Sequence, residues 1–144
     1  MARTFEVEVA GARARFALLE DLTPTSGAAL WESLPLAGTI RHGKWSGDAC
    51  YLMVDQGPLA ELPAKLELAV ASMYRGYLVV VPLPAHGQAE LLLSYGTAES
   101  RTATGRRYAT PLAELQGDGT ALFDALRRTQ VEGEKSVTIR RVEG

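Results

Sequence analysis

Cysteine and histidine are scarce in this chain of 144 residues. A single cysteine, Cys50, excludes an internal disulfide, and with only two histidines beside it the usual zinc ligand sets cannot be assembled. The sequence also lacks a phosphate-binding glycine loop, a nucleophile-elbow serine and a histidine pair at metal spacing. We therefore expect no metal and no cofactor, and no standard catalytic motif identifies an activity.

A large excess of charge of either sign is also missing. Fifteen Lys and Arg against 17 Asp and Glu leave a formal net charge of −2, which creates no field that would attract a nucleic acid or an anionic membrane. Apolar runs such as 77–83 are too short to cross a membrane, and residues 1–8 carry charges where a signal peptide has an apolar segment. The sequence predicts a cytoplasmic protein with neither a nucleic-acid nor a membrane partner.

What the chain does contain is enough apolar material for a core. Apolar residues make up 47% of it against 22% charged, which favours a single domain over residues 1–144. Alternation of apolar and polar residues, or a short continuous apolar run, is typical of strands. The predicted strands are 4–9, 13–19, 38–45, 48–54, 65–70, 77–82, 89–95 and 136–142.

Two helices interrupt these strands. Thr23 and Pro24 predict a helix start, with the threonine hydroxyl as the cap, and the helix should end near Pro35. Spacings of three and four place Trp31 on the side that faces the sheet, where core packing is the plain interpretation. A second helix is predicted over 121–128.

Eight strands and two helices suit a closed or nearly closed barrel whose ends the helices cover. Closure removes the exposed edges that eight short strands would otherwise present. We therefore predict a mainly β protein with a closed barrel. The polar stretch 97–107 is the least regular part of the sequence, and we expect it to be a long loop, either functional or flexible.

The densest group of reactive side chains lies at a predicted hairpin tip, 41–48. The period of two puts Arg41 and Trp45 on one face and His42 and Lys44 on the other, so a bulge is needed if all four are to line one pocket. His42 is the candidate catalytic residue, as a general acid or base, because its unperturbed pKa lies near the working pH. A hydrogen-bonded structural histidine is the alternative.

A second group of charged side chains lies in or beside the polar stretch, including Arg106 and Tyr108. Guanidinium groups suit bidentate recognition of a carboxylate, although solvated surface charge is the alternative. An arginine at the barrel mouth, with a tyrosine as wall and hydroxyl donor, would make a site for a small anionic metabolite. The candidate ligand-binding residues are Arg41, His42, Trp45, Tyr74, Tyr95, Arg106 and Tyr108.

Five segments together resemble the DUF3830 family, a bacterial and archaeal group of uncharacterised proteins with a cyclophilin-like fold. The segments are 30–35, 41–47, 74–76, 94–96 and 105–109. The Trp-Ser-Gly sequence at 45–47, with its preceding histidine, is the most specific of them. The resemblance runs from about residue 13 to the end, and it implies a cyclophilin-like barrel with two helices.

The resemblance does not carry prolyl isomerase activity with it, because fold alone does not determine function. The Phe-His-Arg and Phe-Met-Gln-Gly-Gly segments that cyclophilin isomerases have are absent here. We predict instead a protein that binds, or binds and transforms, a small carboxylate- or amide-bearing metabolite. The alternative is a non-catalytic protein-interaction module. We also expect self-association, because closed symmetric oligomers are common among small proteins.

Overall fold

Eight antiparallel strands close into a barrel in the computed structural model, which describes residues 2–143. The strands of the chain are β1 (Thr4–Val9), β2 (Ala12–Leu18), β3 (Leu36–His42), β4 (Gly47–Val54), β5 (Ser72–Met73), β6 (Tyr77–Leu83), β7 (Gln88–Glu99), β8 (Arg101–Thr102), β9 (Gly105–Arg106), β10 (Thr110–Gln116) and β11 (Lys135–Arg141). Around the barrel the order is β4-β3-β11-β1-β2-β10-β6-β7, and β7 pairs with β4 to close it. The predicted mainly β, cyclophilin-like closed barrel is confirmed.

Inward-facing apolar side chains fill the barrel. In β1 the alternate residues Phe5, Val7 and Val9 are buried, as the period of two predicted for this strand. Phe5 stacks on Phe16 of the neighbouring strand, with ring centroids 5.8 Å apart. Each such side chain contributes about 2 kcal/mol through burial, so the alternating pattern itself selects which face of each strand turns inward.

Two α-helices, α1 (Pro24–Ser33) and α2 (Thr120–Glu132), pack against the barrel. Both predicted helices are confirmed, although α2 is longer than expected. Trp31 of α1 is only partly buried at the edge of the core. The guanidinium groups of Arg3 and Arg141 both lie over its ring, with Cζ atoms 5.2 and 4.9 Å from the ring centroid.

The start of α1 is capped differently from the prediction. Thr23 makes no side-chain cap, because its hydroxyl instead donates to the carbonyl oxygen of Pro111 at 2.6 Å. The free backbone N–H groups of Thr25 and Ser26 donate to the carboxylate of Glu67, at 3.1 and 2.9 Å. A carboxylate from a distant segment therefore caps this helix, a contact that local sequence does not indicate.

The predicted strand at 65–70 is wrong. Within that segment only Val70 pairs with another strand, through an isolated bridge to Ala109, and Glu67 is turned toward α1. The barrel instead takes its eighth strand from β10, which the sequence analysis did not identify. β10 begins with four consecutive buried residues rather than alternating ones, and a register shift against β6 occurs between Pro111 and Ala113.

The polar stretch at 97–107 is more regular than expected. β7 continues through Glu99, and β8 and β9 form a small separate hairpin, which we call the β8–β9 hairpin (101–106). Only residue 100 between β7 and β8, the turn at 103–104 and residue 107 lack strand structure. The long-loop prediction is therefore wrong for most of its length. No helix among residues 2–143 is both long enough and apolar enough to span a membrane.

Candidate functional site

A cleft with a volume of about 410 Å³ lies on the outer face of the barrel, over β3, β4 and β7. Its floor includes Tyr51 and Leu92, which are opposite each other in the β4–β7 ladder. Leu92 belongs to an apolar cluster outside the barrel, whereas Leu91 and Leu93 on either side of it point into the core. The β8–β9 hairpin contributes Arg101 and Thr102 to one wall of this cleft.

The hairpin tip between β3 and β4 forms the opposite wall. β3 ends at His42, three residues earlier than predicted, and the turn that follows brings Lys44 and Trp45 to the cleft. Gly47 makes this approach possible, because its φ is +78° and an added Cβ would lie 2.8 Å from the carbonyl oxygen of Thr97. Only glycine fits at that point without displacing the backbone of β7.

Two arginines of the cleft are held by ion pairs. The Nε of Arg41 lies 2.7 Å from the Oε2 of Glu134, and the Nη2 of Arg107 lies 2.5 Å from the Oε2 of Glu90. The second pair is the more protected, since its side chains are 27% and 14% exposed. Both ion pairs hold a guanidinium group beside the cleft, and in each guanidinium some of the N–H donors are used by the carboxylate.

Two further cations of the cleft, Lys44 and Arg101, make no ion pair with any of residues 2–143. Trp45 stands beside them with 55% of its surface exposed, which is unusual for a large aromatic side chain. Cations without partners next to exposed aromatic surface can bind an anionic group and an apolar body of the same molecule.

His42 faces the other way, into the end of the barrel. Its register partner is Cys50, an inward-facing residue, and its Nε2 lies 2.8 Å from the Oη of Tyr95. Gln130 of α2 donates to the same Oη at 2.5 Å, so the tyrosine hydrogen is available to donate to the histidine nitrogen. A second, more open pocket of about 390 Å³ lies at this barrel end, between β3 and α2.

The environment of His42 favours the neutral imidazole. Burial lowers its pKa below the usual 6.5, and the charge of Asp48 and a backbone hydrogen bond at Gly43 offset this only in part. A neutral ring with Nε2 as an acceptor is the form that the Tyr95 hydroxyl requires. The imidazole is thus a hydrogen-bonded ring whose neutral form is favoured in this geometry.

Cys50 has no features of a nucleophile. It is fully buried, and its Sγ lies 3.3 Å from the Oγ1 of Thr129 and 3.5 Å from the carbonyl oxygen of Leu126. Burial raises the pKa of the thiol to about 11, so it is protonated at neutral pH. Among residues 2–143 no cluster of three His, Cys, Asp or Glu side chains could hold a metal ion.

The structure separates the seven candidate ligand-binding residues into two groups. Arg41 and Trp45 line the cleft and His42 borders both the cleft and the pocket at the barrel end, toward which its ring turns, whereas the other four do not line the cleft. Tyr95 is 1% exposed inside the barrel, and the hydroxyl of Tyr74 donates to Glu114 at 2.7 Å on another part of the surface. The remaining two are Arg106, paired with Glu99 at 3.2 Å, and Tyr108, which is 55% exposed.

Several residues of the cleft were outside that set of seven. Tyr51, Glu90 and Leu92 lie on the outer faces of β4 and β7, and alternation with their buried neighbours was the signal that could have identified them. Arg101 and Arg107 take the place expected for Arg106. Which arginines face the cleft depends on how the two strands of the β8–β9 hairpin pair. Because this segment was predicted to be an irregular loop, no strand pairing was available to predict it.

The barrel is similar to two solved structures. McbB, whose structure was solved in complex with tryptophan, superposes with a TM-score of 0.75 at 21% identity, over 97% of this chain and 45% of that one. AF2241, a hypothetical protein from Archaeoglobus fulgidus with a solution structure, superposes with a TM-score of 0.62 at 16% identity, over 98% of this chain and 95% of that one. At these identities the likeness shows the fold alone, and the chain spans a little under half the length of McbB.

The sequence of the chain also matches a known protein family. No curated protein matches the chain. The family described as a protein of unknown function (DUF3830) matches residues 5–140, nearly the whole sequence. The resemblance noted in the hairpin tip and the other segments is confirmed, and the barrel that it implied is the one observed here. The chain belongs to the DUF3830 family.

Proposed function

We propose that the protein binds a small metabolite bearing a carboxylate or an amide group in the outer cleft. The observation that carries this proposal is the charge of the cleft, whose lining includes four cations and one carboxylate in a chain with a net charge of −2. The cations are Arg41, Lys44, Arg101 and Arg107, and the carboxylate is Glu90.

The unpaired cations supply the recognition chemistry. Arg101 and Lys44 have no carboxylate partner in residues 2–143, so a ligand carboxylate can bind them without first displacing an ion pair. A guanidinium donates two parallel hydrogen bonds to such a group, which orients it as well as holding it. An amide would donate instead to Glu90 and accept from one cation.

The apolar part of the cleft suits a ring or a branched aliphatic body. Tyr51 and Leu92 supply a floor and Trp45 an exposed indole on the wall. The tryptophan in the McbB complex combines a carboxylate with an aromatic ring, which makes it a reasonable probe for this related barrel. Burial of one aromatic ring stabilises a complex by about 2 kcal/mol before the costs of association are subtracted.

Binding without chemistry is better supported than catalysis. The imidazole of His42 turns to the barrel end, and its Nε2 is already engaged by Tyr95. The thiol of Cys50 is buried and protonated. A reaction in the outer cleft would therefore require His42 to leave its present partner.

The test uses acids and amides of the same shape. Phenylacetate with phenylacetamide, and L-tryptophan with L-tryptophanamide, are titrated into the protein by calorimetry and added in thermal unfolding experiments. A ligand at 100 times its Kd should stabilise the fold by about 2.7 kcal/mol. Arg101→Gln should weaken binding of the acids about tenfold, because it removes one charge-assisted contact.

The control is Arg140→Gln, which removes a surface guanidinium that pairs with Glu6 and Glu8, away from the cleft. It should leave every Kd within twofold of the wild type. If no probe binds, or if the Arg101 and Arg140 variants weaken binding equally, the proposal fails. Failure of all probes would then favour the alternative of a protein-interaction module.

A further inference from the structure

Two buried polar atoms at the base of the β8–β9 hairpin have no hydrogen-bond partner within residues 2–143. They are the Oγ of Ser100, which precedes β8, and the Nε of Arg107, which follows β9. Ser100 is completely buried. Native proteins satisfy nearly all such groups, so two of them together at one place in the fold require an explanation.

The register of the hairpin places the two side chains on the same face. Arg101 pairs with Arg106 and Thr102 with Gly105, so the next pair, one step further from the turn, is Ser100 with Arg107. The backbone N–H of Arg107 donates to the carbonyl oxygen of Ser100 at 2.9 Å, which agrees with this pairing. Directly opposed residues of an antiparallel pair point to one side, with Cβ atoms about 5 Å apart.

Residues of that shared face border the outer cleft, as Arg101 does from the other face of the hairpin. Arg107 and Thr102 both line the cleft, and Ser100 lies on their side of the hairpin. The Nη2 of Arg107 is committed to Glu90, which leaves the Nε edge of its guanidinium without an acceptor. Both unpartnered groups are therefore donors at the edge of a cleft that we propose binds a carboxylate.

We propose that Ser100 Oγ and Arg107 Nε form an oxygen-binding pair that makes the cleft selective for carboxylates over amides. This inference rests on the proposed function, since it assigns the ligand's acidic group to a position within the same cleft. A carboxylate oxygen accepts from both donors and is attracted by the guanidinium charge. A primary amide offers these donors only its neutral carbonyl oxygen, and its N–H groups cannot accept from either of them.

Access to the pair requires the β8–β9 hairpin to lift from the barrel, because both atoms are buried. The hairpin forms its own small sheet, outside the barrel ladder. Its base is tied down by the backbone hydrogen bond from Ser100 N to the carbonyl oxygen of Ala71, at 2.7 Å, and by the Arg107–Glu90 pair. Because Ser100 and Arg107 themselves carry these two anchors, exposing their unpartnered atoms requires the base of the hairpin to loosen.

The first experiment is Ser100→Ala, measured with and without ligand. The unliganded variant loses no hydrogen bond, so its melting temperature should equal or exceed that of the wild type. Its Kd for phenylacetate should rise about tenfold, the loss expected for one hydrogen bond to a charged acceptor, whereas its Kd for phenylacetamide should change less than threefold. If Ser100→Ala is at least as stable as the wild type but binds the acid more weakly, the Ser100 hydroxyl donates to the ligand and not to another protein group.

The second variant is Arg107→Lys, which keeps a cation beside Glu90 and removes the Nε donor. It should raise the Kd for phenylacetate about tenfold. The ratio of the Kd for phenylacetamide to the Kd for phenylacetate should therefore fall. Arg106→Gln is the matched control, because Arg106 lies in the same hairpin, pairs with Glu99 and does not line the cleft. It should leave both Kd values within twofold of wild type.

Two results would overturn the inference alone. One is acid binding by Ser100→Ala and Arg107→Lys with wild-type affinity, which would leave the proposed function standing. The other is a fall of more than about 4 °C in the melting temperature of unliganded Ser100→Ala, which would mean that the hydroxyl already has a stabilising partner. If the wild type binds none of the acid probes, the proposed function and this inference fail together.

Discussion

The imidazole of His42 and the phenol of Tyr95 meet edge to face at the end of the barrel, with Nε2 and Oη 2.8 Å apart and the ring planes at 61°. The guanidinium of Arg127 lies over the tyrosine ring, 5.3 Å from its centroid, and Gln130 donates to its hydroxyl. Helix α2 thus holds the tyrosine, and the tyrosine hydroxyl holds the imidazole, whose neutral form is favoured by burial. This contact joins the hairpin tip that carries the cleft to the helix that covers the barrel.

The lowered pKa of His42 predicts that the free energy of unfolding depends on pH. Protonation is less favourable in the folded protein than in the unfolded chain, so the unfolded chain binds more protons in the range below the usual pKa of 6.5. The contribution of this residue to stability is therefore fully present above pH 6.5. It is lost as the pH falls from 6.5 toward the lower pKa of the folded state.

Urea unfolding of the wild type and of His42→Gln at pH 7.5 and pH 5 measures this effect. The wild type should lose more stability between these two pH values than the variant does. Both proteins retain the exposed His86, so the difference between their losses reports on His42. Equal losses in the two proteins would show that His42 does not carry the dependence.

Removal of the Tyr95 hydroxyl should destabilise the fold. In Tyr95→Phe the Nε2 of the half-buried His42 loses its partner, and the amide of the exposed Gln130 loses its partner but can turn to water. An unsatisfied buried polar group costs about 1–3 kcal/mol, so we expect a loss in that range in chemical unfolding.

Tyr74→Phe is the matched control for this substitution. Its hydroxyl donates to Glu114 at an exposed position, where such contacts are worth little. The control should change the free energy of unfolding by less than about 0.5 kcal/mol. Equal effects of the two substitutions would contradict a special role for the Tyr95 hydroxyl.

The carboxylate of Glu67 should stabilise α1 from outside the helix. Burial raises its pKa, but the hydrogen bonds from Ser26 and Thr25 outweigh this, and the pKa of Glu67 is lowered overall. Glu67→Ala should reduce the free energy of unfolding by about 1 kcal/mol at pH 7, the usual worth of a helix cap. The difference from wild type should shrink as the pH falls through the lowered pKa, because the wild-type carboxylate then protonates.

Glu61→Ala provides the comparison for Glu67→Ala. Glu61 is exposed in the short 3-10 helix at Pro58–Glu61, and its side chain makes no hydrogen bond or ion pair within residues 2–143. Its replacement should leave the stability within about 0.5 kcal/mol of wild type. A matching loss in both variants would indicate a general effect of net charge rather than a cap.

Local periodicity was sufficient for most of the barrel. Strands such as β1 bury alternate residues against a single core, so the pattern in the sequence records their orientation directly. It failed for β10, whose first four residues are all buried because they are covered on both faces. It also failed at 65–70, where an alternating segment does not pair as a strand and the Glu67 carboxylate instead caps the start of α1.

The sequence by itself determined the strand-rich class, the two helices and the crowding of Arg41, His42 and Trp45 at one hairpin tip, because each depends on residues that are neighbours in the chain. Only the tertiary structure decided what surrounds them. Tyr95 reaches His42 across 53 residues, and the partners of Arg107 depend on how the β8–β9 hairpin lies against β7. Closing the barrel brings these segments together. The apolar–polar periodicity of each segment does not indicate which distant residues it will contact.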